Sequence, residues 1–264
     1  GELAALIQDW GNVVENPRNG LFGSIIVGPK GSRYRDPITG EDVTMKSSWR
    51  ADVLVDRTVP GNETRKNYRD FSLMFQDEDN IVGVSFMPYI QQVAGISAVN
   101  YRSEPANWRV EKGCEAIGVF ACTKAGEEPV TPTLQAHVGD PVAIHVIGAF
   151  SEQVQLFTVE GHEWPHEPYM VGADQVGTME FGGSEIINAY LTGGAGGPNK
   201  LVGDYMWKNQ RPAFANAGQW GLFRVLPLGD QKILSLNAEG SAGKTADRAV
   251  DGGSLFRTSM TSGR

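Results

Sequence analysis

The sequence predicts an all-β fold, a sandwich of short strands, and three observations predict it. Apolar or alternating runs of strand length recur along the chain, each closed by Gly, Pro, Asn or Asp. Helical periodicity is scarce. With 264 residues and 41% hydrophobic content, the chain has enough apolar surface to bury the core of a large domain.

Gly20 to Val27 (GLFGSIIV) reads as a buried strand and runs into a loop from Gly28 to Asp42 rich in Gly, Pro and charge. Phe71 to Gln76 (FSLMFQ) is the next apolar run. In Val142 to Ile147 a period of two puts Val142, Ile144 and Val146 on one face and Ala143, His145 and Ile147 on the other, so both faces are partly buried. Gln153 to Val159, Glu185 to Leu191, Gly203 to Trp207 and Gly221 to Val225 follow with turn signals between them, the pattern of a sandwich. The stretch from Thr192 to Asn199 (TGGAGGPN) is expected to be an exposed turn. From Leu228 onward the chain becomes polar and rich in Gly and Ser, which reads as a linker or a strap for a partner. GLFGSIIV is echoed by WGLFRVLP at Trp220 to Pro227, a first sign of two related domains.

Composition excludes some classes of function. A net charge of -8 with interspersed signs lacks the clustered cations that a nucleic-acid partner requires. Gly, Pro or a charge interrupts every run that approaches the roughly 20 apolar residues of a membrane span. The opening GELAALIQDW has neither the basic region nor the small-residue cleavage pattern of an intact export signal. Cys114 and Cys122 in GCEAIGVFAC fit neither a zinc knuckle nor a haem attachment site. They are either a disulfide, which points to an oxidising compartment, or two buried thiols.

Four histidines limit every metal or base hypothesis. His162 and His166 in GHEWPHEP are interrupted by Pro165, which argues against a helix, and in an extended strand they stand about 13 Å apart, too far to share a metal. They read as turn residues. His145 alternates with core positions, and His137 precedes the turn Val138-Gly139-Asp140-Pro141, so both read as structural. The chain has no Gly-x-Ser-x-Gly elbow or phosphate-binding Gly/Lys loop, and although His162-Glu163-Trp164-Pro165-His166 has the letters of His-Glu-x-x-His, Pro165 denies it the helix on which that motif binds zinc.

A set of landmarks does point to a family. They are Gly161-His162-Glu163-Trp164-Pro165-His166-Glu167-Pro168, Gly193-Gly194-Ala195-Gly196-Gly197-Pro198, Gly203-Asp204-Tyr205, and Gly218-Gln219-Trp220-Gly221-Leu222-Phe223-Arg224-Val225. With them, Val154 to Val225 resembles the C-terminal cupredoxin domain of multicopper oxidases, in particular the large bacterial type related to manganese oxidases. Gly20-Leu21-Phe22-Gly23 followed by Pro29-Lys30-Gly31-Ser32 resembles the end of a preceding cupredoxin domain. Asn100 to Pro105 and Ala136 to Pro141 fit the stretch between.

The resemblance implies copper ligands that this sequence does not carry. Where the family has His-x-x-His-x-His, this chain has Gln155, Thr158 and Glu160. Where it has His-Cys-His, then His, then Gly-Met, the chain has Lys208, Asn209, Gln210, Phe214 and Gln219. A further His-x-His reads Gln8-Asp9-Trp10. Amides, a hydroxyl, an ammonium and aromatic rings are poor donors for copper, so no metal or cofactor is expected on this chain, and copper enters only if other chains supply it. Phe214 and Trp10 are expected to fill vacated volume. Glu160 and Lys208, at positions that serve one copper in the family, are expected to form a buried ion pair whose disruption costs roughly 3 to 5 kcal/mol.

The resulting expectation is an all-β, cupredoxin-like Greek-key β-sandwich over 65–227, preceded by the last strands of another cupredoxin domain over 1–28 and a linker over 29–64, and followed by a tail over 228–264. An isolated strand pair is marginal in water, so 1–28 is expected to pair with polypeptide outside the chain. That partner is an N-terminal cupredoxin portion or a homologous subunit. The functional expectation is a catalytically silent structural or interaction subunit of an exported assembly, periplasmic or at the cell surface. The competing expectation is a non-ligating part of a multicopper oxidase whose coppers other chains carry. A calcium or small-molecule module built on the acidic loop at Asp36 to Asp42 ranks last, because no motif supports it.

Overall fold

The computed structural model describes residues 3–79, 95–122 and 128–237. In chain order the elements are β1 (Leu3–Gln8), α1 (Glu15–Arg18), β2 (Phe22–Val27), β3 (Arg33–Arg35), β4 (Arg50–Leu54), β5 (Tyr68–Asp79), β6 (Gly95–Val99) and α2 (Ala106–Glu111). They continue with β7 (Leu134–His137), β8 (Val142–Phe150), β9 (Gln155–Val159), β10 (Trp164–Pro165), β11 (Gln175–Val176) and β12 (Thr178–Phe181). The last are β13 (Ile186–Tyr190), β14 (Gly203–Asn209), α3 (Pro212–Asn216) and β15 (Trp220–Leu226).

Two sheets face each other. One has the order β12-β9-β14-β15-β7, and the other β13-β8-β5-β4-β3 with β6 also paired to β5. The pairs β5–β8 and β15–β7 are parallel and the rest antiparallel. Alternation builds the core between the sheets: Phe71, Leu73 and Phe75 of β5 and Val142, Ile144 and Val146 of β8 meet Phe157, Val159, Trp207 and Phe223 of the other sheet. Phe75 is the hub, edge-on to Phe157, Phe181 and Trp207 at centroid distances of 6.1, 5.3 and 6.1 Å. The indole of Trp207 packs against Gly221, where a Cβ would collide with it.

The opposite face of the larger sheet is buried as well, which explains the apolar continuity of β8. Val53, Val55, Tyr68 and Ala143 form a second small core there. Asp70 and His145 lie on this side, the imidazole Nε2 3.2 Å from Asp70 Oδ1 and Nδ1 2.6 Å from Asn188 Oδ1. Burial pulls the His145 pKa down, but the Asp70 carboxylate and the hydrogen bonds raise it more, so the net direction is up.

Three expectations are corrected. Residues 29–64 are more than a linker: β3 and β4 extend the larger sheet. The physical reason is a buried charge network. Arg69, fully buried, pairs with Asp52 and reaches Asp140 at 2.9 Å, while Arg35 reaches Asp52 at 2.6 Å. The tail is not free from Leu228 onward, because Arg69 donates to Leu234 O at 2.6 Å, Arg35 to Ser235 O at 3.0 Å and Asn67 to Leu236 O at 3.0 Å, with Ile233 and Leu236 buried. Residues 238–264 lie outside the described residues. Finally, the stretch from Thr192 to Asn199 is a turn, but residues 194–197 are buried and not exposed. Gly139 N donates to Ala195 O and Ala195 N to Asp140 O, which brings the turn so close that a Cβ on Gly194 would strike Asp140 O.

The first strands pair with each other: β1 and β2 form an antiparallel hairpin lying on β8 and β13. Gln8 donates to Ala149 O at 2.6 Å, Gln76 to Arg18 O at 2.6 Å, and the Tyr101 ring stacks on Phe22 at 4.9 Å. Leu3, Ile7, Ile25 and Val27 share the outward face of this hairpin and are exposed. Cys114 and Cys122 form a disulfide across the loop after α2.

Candidate functional site

The period of two along β9 and β14 sorts the singled-out residues into two groups. Gln155 and Asn209 point into the sandwich and are buried; Thr158 and Lys208, directly paired across the two strands, take the other face. The loop that follows β14 turns through α3, and Asn209 N donates to Gln219 O at 2.9 Å, so the loop's two ends are clamped together. Gln155, Asn209 and Gln219 thereby meet, although they are far apart in sequence.

Their side chains form a closed amide network. Asn209 Nδ2 donates to Gln155 Oε1 and, at 2.8 Å, to Gln219 Oε1. Its Oδ1 accepts from Leu156 N at 3.3 Å and Arg211 N at 3.0 Å. Gln155 Nε2 donates to Ser151 Oγ at 2.9 Å, and Gln219 Nε2 to Gln76 O at 3.2 Å. All three side chains are buried. Phe214 fills the loop, fully buried, with the Arg211 guanidinium 4.7 Å from its ring centroid. Asp77, also buried, borders the network through Ser151 and Gln155, and burial pushes its carboxyl up to about 6 against the opposing pull of those side chains.

The other group is looser. Lys208 Nζ stands 2.5 Å from Glu160 Oε1, but the Glu160 side chain is 51% exposed and that of Lys208 24%. This pair is therefore a surface ion pair, worth about 0 to 1 kcal/mol, and the expected cost of 3 to 5 kcal/mol is corrected downward. Thr158 Oγ1 donates to Gly177 O at 2.7 Å, and Gln210 is exposed. Gln8 also accepts from Ser184 Oγ at 3.1 Å. Trp10 is 76% exposed and fills no vacated centre, a second correction.

Copper does not fit these residues. Gln155, Asn209, Phe214 and Gln219 offer no imidazole or thiolate, and the amide oxygens already accept hydrogen bonds. Among the described residues no group of three or more His, Cys, Asp or Glu is placed to hold a metal ion. His162 is buried in a structural role, Nδ1 donating to Glu160 O at 2.9 Å and Nε2 accepting from Gly196 N at 3.0 Å, and burial lowers its pKa. His137 Nε2 bonds Asp230 O at 2.9 Å, and His166 is exposed. Asp77 and Ser151 were missed by sequence reasoning; the only signal was the acidic end of the FSLMFQDED run.

No family model and no curated protein matches the chain. Its structure is similar to a copper nitrite reductase from Nitrosomonas europaea, with a TM-score of 0.50 and 14% identity over 89% of this chain and 66% of the other. The fold is cupredoxin-like. A blue copper oxidase from Nitrosomonas europaea (TM-score 0.48, 16% identity, 84% of this chain and 55% of the other) and a multicopper oxidase (0.45, 14%, 84% and 56%) are also similar. The chain thus spans between 55% and 66% of the length of these three structures. At such identities the likeness concerns the fold alone. Among the described residues no helix is long and apolar enough to cross a membrane.

Proposed function

We propose that this chain is a copper-free, catalytically silent structural or interaction subunit of an exported assembly on a multicopper-oxidase-like framework. The observation that carries the reading is the closed amide network of Gln155, Asn209 and Gln219 with Phe214 beside it. In this reading these four residues stand where the framework's relatives hold a blue copper with two imidazoles, a thiolate and a weak axial ligand. Gln8, Trp10, Thr158, Glu160, Lys208 and Gln210 stand at other former ligand positions. Hydrogen bonding within the protein has taken over from metal coordination.

The interaction role is supported by the outward face of the β1–β2 hairpin, where Leu3, Ile7, Ile25 and Val27 lie exposed side by side. The proposed cover is another cupredoxin sheet, from an N-terminal portion or a homologous subunit. Export to the periplasm or cell surface is supported by the Cys114–Cys122 disulfide.

Two measurements test the reading. Native mass spectrometry with metal analysis of the purified assembly is expected to find a partner chain and no copper on this one; copper held by this chain overturns the proposal, and copper confined to the partner favours the oxidase reading. Restoring the donors in the variant Q155H/N209C/F214H/Q219M is expected to yield Cu(II) binding with the intense blue absorption of a copper–thiolate bond. A folded variant that binds no copper refutes the assignment of these positions.

A further inference from the structure

A second site lies away from the amide network, at the end of the sandwich where β5, β8 and β13 meet the turn at Gly193–Gly194. A cleft of about 450 Å³ opens there, within the range of small-molecule sites. Its apolar wall comes from Tyr68, Tyr190 and Leu191. Among the described residues its charged lining comes from Arg65, Lys66 and Lys200, with no carboxylate. Lys66 and Lys200 thus bring positive charge to one cleft of a protein whose net charge is -8.

The cleft is preformed. Tyr68 and Tyr190 belong to β5 and β13, both paired in the larger sheet. The opposing wall is fixed by the reciprocal bonds between Gly139–Asp140 and Ala195. Lys200, held at φ +54°, donates its ammonium to Gly193 O across the rim. Among the described residues neither Lys66 nor Lys200 has a carboxylate partner, whereas Lys46 and Lys208 are each paired with one. Burial raises the pKa of both Tyr68 and Tyr190, so the wall stays neutral and offers phenol rings for stacking.

We propose that this cleft binds a small aromatic carboxylate, its ring against Tyr68, Tyr190 and Leu191 and its carboxylate at Lys66 and Lys200. The apolar wall selects a ring, and the two ammonium groups, which have no carboxylate partner among the described residues, select a single anionic end. The site is independent of the amide network and of any copper chemistry.

Calorimetric titration of the full chain with 2-naphthoate and with its neutral isostere 2-naphthamide tests the assignment. Saturable binding of the acid is expected, about 5- to 10-fold tighter than the amide and weakened by salt. The double variant K66Q/K200N is expected to remove that preference; Asn at 200 tolerates the left-handed backbone and both side chains are exposed, so folding is retained. Absence of saturable binding at millimolar acid overturns the proposal, as does equal affinity for acid and amide, which the unaltered protein alone decides. A folded double variant that keeps the preference for the acid overturns it too.

Discussion

Asp77 offers the sharpest quantitative test of how the region around the amide network is built. Asp77 is 1% exposed on β5, beside Ser151 and Gln155, and among the described residues no cation compensates its charge. Desolvation dominates and carries the carboxyl from its ordinary 3.8 to about 6. Between those values the native state keeps a proton that the unfolded chain releases, so stability falls as pH rises through this window and the penalty is complete above it. A rise of this size corresponds to about 3 kcal/mol at neutral pH, an order-of-magnitude figure. Asp77→Asn removes the ionisation while nearly preserving shape. Urea unfolding of both proteins at pH 4, 5, 6 and 7.5 gives the stability difference between them at each pH. About 0.6 kcal/mol of the penalty is already present at pH 4, so the difference is expected to move in favour of the variant by roughly 2 kcal/mol from pH 4 to 7.5. Since packing differences are independent of pH, two parallel curves refute the reasoning outright.

Asn209→Ala strands the buried carbonyls of Gln155 and Gln219, each left unsatisfied at about 1 to 3 kcal/mol, so a loss of roughly 2 to 6 kcal/mol is expected by urea unfolding; a loss below 1 kcal/mol argues against the network. Glu160→Gln removes only a half-exposed ion pair and is expected to cost less than about 1 kcal/mol, diminishing further in high salt. Arg69→Met leaves Asp52 and Asp140 without their buried cation at a cost of about 3 to 5 kcal/mol. The same variant frees Leu234 O, so limited proteolysis is expected to cut the segment around residues 228–237 faster than in the unaltered protein.

Much of the strand pattern was legible because alternation is a local signal. The apolar runs at 71–76, 142–147, 153–159, 185–191, 203–207 and 221–225 all coincide with strands of the two sheets. β3 and β4 were not legible. Their segments, RYR and RADVL, carry charges that make sense only once Asp52 meets Arg69 and Arg35. Trp10 looked like a volume filler from its size, but β1 ends before it and the residue is exposed. The burial of Glu160 and Lys208 was overestimated for a related reason: strand register pairs neighbours, yet how deep they lie depends on what covers that face.

The linear order of residues, by itself, determined the β-class of this protein and the absence of imidazole and thiolate at Gln155, Asn209, Phe214 and Gln219, since the period of a strand and the chemistry of a donor atom are both carried by single residues and their near neighbours. Tertiary structure alone decided that Gln155, Asn209 and Gln219 bond one another, that Arg69 ties β4 and the chain after β15 into the sandwich, and that Lys66 and Lys200 share a cleft. The physical reason is that hydrogen bonds, desolvation and electric fields depend on distance in space, and these residues come from segments that only sheet pairing brings together.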